Sequence, residues 1–131
     1  MNMKLVISKE TPYEDACKLL GLEPVTIENF SFLPEAEAKF QLAVHRVTRT
    51  IEAQKQGRQF DWNDGDQRKY FPWWDMETYG DAVPGSGFSF FVYAYSYSFS
   101  HVGSRLSNFS AEETKFIAEA MFEDYRIIMK G

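Results

Sequence analysis

The sequence predicts an α+β domain: a three-stranded antiparallel meander with about three helices packed mainly on one face. Helix caps and 3.6-residue apolar spacing mark residues 11–57 and return in residues 110–130. Two aromatic-rich runs between them read as strands. The 131 residues carry no internal repeat and no long Gly/Ser/Pro linker, so they read as one domain. Hydrophobic residues at 44% and charged residues at 25% are ordinary globular values, which excludes disordered and collagen-like classes. Aromatic content, at 17%, is the outlier.

The first helix is announced by Thr11 as N-cap, Pro12 at the first helical position and Glu14 as the returning carboxylate of a capping box. Gly21 ends it, and Ala16, Leu19 and Leu20 supply its apolar face. A short turn is expected from Thr26. Pro34 opens a longer helix in which Phe40, Val44, Val47 and Ile51 fall on one stripe, and Gly57 closes it. Residues 34–59 carry five basic and three acidic side chains, a local +2; residues 60–87 carry two and six, a local −4. The two regions either complement each other or leave the helix free for an acidic partner.

Residues 68–76, RKYFPWWDM, read as a strand that Pro72 confines to a sheet edge. Residues 80–87 then form a Gly/Pro connection. The clearest strand covers residues 88–99, FSFFVYAYSYSF. One face carries Phe91, Tyr93, Tyr95, Tyr97 and Phe99, and the other shrinks from Phe88 to serine. A third strand is expected over residues 102–108 after a tight turn at Ser100 and His101. Ser110 and Glu113 form a second capping box, and Ile117, Met121, Tyr125 and Ile128 share a stripe of the last helix.

Charge and cysteine bound the setting. With 14 basic and 19 acidic residues the formal charge is −5, the wrong sign for a protein that lives on nucleic-acid phosphates or anionic lipid. One cysteine, Cys17, excludes an internal disulfide and a Cys-rich zinc site and fits a reducing compartment. No apolar run reaches a membrane span, and residues 1–9 are too short for a signal peptide, so a cytoplasmic setting without membrane contact is expected.

Motifs of known chemistry are sparse. The loop Asp61-Trp62-Asn63-Asp64-Gly65-Asp66 misses the EF-hand register, because Gly65 stands where an oxygen ligand belongs and Asp66 where glycine belongs. It reads as a solvated turn. Residues 86–93 only loosely match an RNA-reading strand, with Ser86 in place of the leading cation. No nucleophile elbow, phosphate-binding loop, dinucleotide fingerprint or HExxH is present, so no catalytic residue, metal ligand or cofactor is assigned. Cys17 reads as core.

The candidate surface is the ring row Phe91, Tyr93, Tyr95, Tyr97 and Phe99, joined by Trp73 and Trp74. Tyrosine suits a half-covered position, because its ring is apolar and its hydroxyl stays wet. The competing reading is that Trp73, Trp74 and their neighbours pack over the row as a second small core. Arg46, Arg49, Lys69 and Arg105 are candidate anion or nucleic-acid contacts. Lys39 clusters with Arg46 and Arg49 on one side of the long helix, and His45 lies beyond them. For Arg105 the first expectation is a cross-strand ion pair with Asp75 or Glu77.

Three stretches together carry a resemblance: TPYEDACKLLGLEP (residues 11–24), FDWNDGDQRKYFPWWDM (60–76), and GFSF…VGSRL (87–106) ahead of a Phe-Glu-Asp-Tyr helix. They resemble small uncharacterised proteins encoded by phages, prophages and mobile elements of Bacteroides-type gut bacteria. The resemblance spans almost the whole chain and implies a genomic context but no mechanism. Where that set usually has Cys-Phe-Lys-Ser, this chain has Ser107-Asn108-Phe109-Ser110; where it has Gly-Lys-Gln-Phe, this chain has Glu119-Ala120-Met121-Phe122. Any function of that thiol or lysine therefore does not carry over.

The expectation is a non-enzymatic interaction domain, in the bacterial host cytoplasm or on the virion, that binds protein or self-associates through its aromatic face. A single-stranded nucleic-acid binder is the alternative, disfavoured by the net acidity. A metal-dependent hydrolase built on Asp61, Asp64, Asp66 and His101 is the second, and it needs those groups to converge.

Overall fold

The computed structural model describes residues 7–76, 89–97 and 102–130, and of 75 and 89–92 the backbone alone. Helix α1 spans Pro12–Leu20, α2 Glu35–Lys55, strand β1 Lys69–Asp75, strand β2 Ser89–Ser96, α3 Ala111–Ala120 and α4 Phe122–Lys130. Two 3-10 turns, Ile27–Phe30 and Ser104–Leu106, link them. The domain is thus mixed helix and sheet. The expected connection at 80–87, the turn at Ser100 and His101, and the ends of the 88–99 run lie outside the described residues.

Pro12 starts α1 because its fixed φ suits the first turn, and Gly21 ends it at φ 69°. The Thr11–Glu14 capping box does not form. Ser8 instead ties the approaching chain to the helix, donating from its backbone N and its hydroxyl to the Asp15 carboxylate at 2.8 and 2.7 Å. That backbone hydrogen bond leads the causes that hold the Asp15 carboxyl below its ordinary value. The face buried by α1 is Tyr13, Ala16 and Cys17, whereas Leu19 is exposed.

The core forms along α2. Val47 and Ile51 are fully buried and pack with Tyr13 and Cys17 of α1, Trp74 of β1, Ile117 of α3, Met121 and Tyr125. A smaller cluster joins Ile7, Ala16, Ala53 and Phe116. Each fully buried aliphatic or aromatic side chain contributes about 1.5–3 kcal/mol. The buried stripe of α2 is Ala43, Val47, Thr50, Ile51 and Gln54, and the expected member Phe40 is 40% exposed. Apolar spacing alone misses this rotation, because polar Thr50 enters the core with its hydroxyl donated to the Arg46 carbonyl. The helix ends at Gln56 (φ 53°), one residue before Gly57.

Of the Ser110–Glu113 box the N-cap half forms: the Ser110 hydroxyl accepts from the Glu113 backbone N at 3.1 Å and donates to the Glu113 carboxylate at 3.2 Å. The single last helix is instead two, broken at Met121 (φ −111°, ψ 27°). Ile117, Met121 and Tyr125 nevertheless share one core.

Strands β1 and β2 pair antiparallel, with Tyr70 opposite Tyr95 and Pro72 opposite Tyr93. The three-stranded meander is not what the described residues make. Gly103 turns the chain at φ 70°, and Ser104–Leu106 coils into a 3-10 turn. The expected third strand is left with one bridge, Asn108 with Tyr70, which lies beside β1 rather than β2.

Two polar contacts pin α1 to α2. Val25 N donates to the Tyr13 hydroxyl at 3.0 Å, and the hydroxyl meets His45 Nε2 at 2.9 Å. The hydroxyl can both donate and accept, so the direction of its bond to the neutral imidazole follows the histidine tautomer. Burial, then the charges of Arg49 and Arg46, hold His45 below its ordinary value. Arg46 lies 4.9 Å from the Tyr13 ring centroid and pairs with Asp124 of α4 at 2.9 Å and Glu14 of α1 at 3.6 Å.

A histidine with a depressed folded-state pKa takes up its proton more readily in the unfolded chain. Stability should therefore fall as pH drops below about 6.5. Urea midpoints across that range should decline for the native chain and lose that component in His45→Gln; a midpoint that rises on acidification contradicts the neutral-imidazole contact.

Candidate functional site

The face of the sheet opposite the helices is built by β1–β2 pairing. Helix α3 packs on both strands, and the buried side of β1 carries Lys69, Phe71 and Trp74. Ala94 and Ser96 stand opposite Phe71 and Lys69 on β2, small enough to accept the covering layer. Strand alternation sends Tyr70, Tyr93 and Tyr95 the other way. Tyr93, Tyr95 and Tyr97 are 41%, 47% and 39% exposed, and Trp73 is 55% exposed.

These rings form one patch. Tyr70 lies 5.6 Å from Tyr93 and 5.9 Å from Tyr95, and Tyr95 meets Tyr97 edge-on at 5.9 Å. Such tilted and edge-on pairs suit the ring quadrupoles. The Arg68 guanidinium sits 4.6 Å from the Tyr95 centroid, and its Nε donates to the Tyr97 hydroxyl at 3.2 Å. That hydrogen bond raises the guanidinium pKa further, so Arg68 is a permanent cation on a fully wet surface. The patch is an apolar, hydroxyl-bearing row with one charge at its end, suited to recognition by contact.

The expected members divide. Tyr93, Tyr95 and Tyr97 form the patch, Trp73 is exposed at a position with the strand parity of Phe71, and Trp74 is 8% exposed and lies tilted against Tyr125 at 4.9 Å in the core. The two tryptophans stand on either side of a register slip in the β1–β2 pairing. The Phe91 side chain and Phe99 lie outside the described residues, as do the Asp75 side chain and Glu77 proposed to pair with Arg105. Tyr70 and Arg68 are members of the patch that the sequence does not single out. Their signal was the pairing register, which becomes legible only once the turn between the strands is known.

Of the four candidate cations, two are engaged internally. Arg46 is held by Asp124 and Glu14. Lys69 has the wrong strand parity for a surface contact: it is fully buried. Its Nζ donates to the Asp61 and Asp64 carbonyls at 3.1 and 3.4 Å and lies 4.9 Å from the Trp62 ring centroid. The acidic loop therefore wraps a built-in ammonium. Its carboxylates serve the turn, Asp61 accepting from Asn63 N and Asp64 from Asp66 N, both at 2.9 Å. Among the described residues no group of three or more His, Cys, Asp or Glu is placed to hold a metal, and His101 lies outside them. Arg49 pairs with Glu52 at 2.7 Å, and Arg105 is exposed on the second 3-10 turn rather than on a strand.

Among the described residues no helix is long and apolar enough to cross a membrane. Lys69→Met should cost about 1–3 kcal/mol, because two loop carbonyls lose their donor; urea unfolding followed by tryptophan emission measures it, and an unchanged midpoint contradicts an ammonium-centred loop. No family model, curated protein or solved structure matches this chain.

Proposed function

We propose that the chain is a non-enzymatic interaction domain whose sheet face binds a protein surface, either a partner or a second copy of itself. One observation carries the reading: Tyr93, Tyr95 and Tyr97 are each more than a third exposed on a two-stranded sheet whose other face is covered by helices. Rings of this kind add large contact area at low side-chain entropy cost, and their hydroxyls tolerate water when the surface is free. Among the described residues β2 has one partner strand, so its outer edge offers backbone groups beside the ring row. The resemblance to phage and mobile-element proteins supports a role inside the bacterial host or on the virion.

The nucleic-acid alternative has less support. Lys69 is buried and Arg46 is paired, so two of its four cations are unavailable to phosphates, and the chain is net acidic.

Light scattering coupled to gel filtration tests self-association. The native chain should gain mass with concentration, and the double variant Tyr93→Ser/Tyr95→Ser should shift the midpoint by about tenfold or more, as expected for loss of aromatic anchors. Both side chains are exposed, so the variant keeps its fold. A native chain that stays monomeric contradicts self-association, and a variant that associates unchanged contradicts this face.

A further inference from the structure

A second feature lies apart from the ring row. The last turns of α2, the segment after it and the Ser104–Leu106 turn enclose a cleft of about 490 Å³. Four cations line it, Arg49, Lys55, Arg58 and Arg105, against the single carboxylate of Glu52. That excess of positive charge stands in a chain of net charge −5.

The four cations are not equivalent. Arg58 is structural. It donates to the Lys55 and Gln54 carbonyls at the end of α2, pairs with Glu113 at 2.6 Å and lies 4.5 Å from the Phe109 ring centroid. It thereby neutralises the helix C-terminus that would otherwise repel an anion. Lys55 has no carboxylate within ion-pair distance among the described residues; its Nζ donates to the Ser104 carbonyl and lies 5.0 Å from the Phe60 ring centroid. Arg105 has no ion pair among them either, and Arg49 shares Glu52 through one nitrogen only. Three cations from two chain segments thus converge with donors to spare. Phe60 and Trp62 form an aromatic wall beside them.

We propose that this cleft binds the phosphate group of a small phosphorylated organic molecule, held between Arg49 and Arg105 with Lys55 beneath. Guanidinium forks match phosphate oxygens with paired hydrogen bonds, and an ammonium supplies a point charge. The volume falls within the range of small-molecule sites and exceeds what a bare ion fills, so the organic part lies against Trp62 and Phe60. Burial first, then the neighbouring Arg105 charge, pushes the Lys55 ammonium below its ordinary value, although Glu52 opposes this. A bound dianion removes that stress.

Isothermal calorimetry with adenosine 5′-monophosphate and with inorganic phosphate tests the site. The nucleotide should bind, and more tightly than phosphate. Arg105→Gln, at an exposed position, should weaken it about tenfold or more, as loss of a charged hydrogen-bonding partner does. Glu52→Gln should tighten it several-fold, because the opposing carboxylate goes and Arg49 is released; a merely structural Glu52 would not do this. No heat and no thermal stabilisation with millimolar nucleotide overturns the proposal, as does an affinity indifferent to both substitutions. Nucleotide and phosphate binding equally well overturns the organic half of it.

Discussion

A two-stranded ribbon has two faces, and the described helices pack on one of them. Phe71 and Trp74 turn inward to meet the helical layer, where Trp74 stacks on Tyr125 and joins Val47, Ile51, Ile117 and Met121. A ribbon alone is marginal in water, so that contact is what lets β1 and β2 persist. The same pairing that turns Phe71 and Trp74 inward sends Tyr70, Tyr93 and Tyr95 outward. Exposure of the ring row is therefore a consequence of how the core is made, and Arg68 stacked on Tyr95 is part of the same outward set.

Electrostatics divides along similar lines. Cations that hold the fold are taken up: Arg46 ties α2 to α1 and α4, Lys69 organises the acidic loop through carbonyls, and Arg58 closes the end of α2. Surface pairs such as Arg126 with Glu123 add little, because solvent screens them. Three further cations, Arg49, Lys55 and Arg105, face the cleft.

Much of the helical part was legible because its signals are local. Ser110 with Glu113, Pro12 and Gly21 act within one turn, and each does what its chemistry requires. Local signals failed where partners came from elsewhere: Glu14 meets Arg46 rather than the Thr11 backbone, and Thr50 joins the buried stripe of α2 with its hydroxyl on its own helix while Phe40 stays exposed. The sheet was legible in its strands but not in its pairing. Strand parity decides whether Arg68 or Lys69 faces water, and whether Tyr70 or Phe71 enters the core. Neither is visible before register is known. Residues 102–108 have a strand-like composition, yet Gly103 at φ 70° and the turn after it leave one bridge.

Residue-resolved hydroxyl-radical labelling at dilute concentration tests the one-sided covering most directly. The account predicts rapid modification of Tyr93, Tyr95, Tyr97 and Trp73, with Tyr13, Trp74 and Tyr125 protected in the same folded sample. Protection of the β2 tyrosines to the level of Tyr13 in a monomer would contradict it.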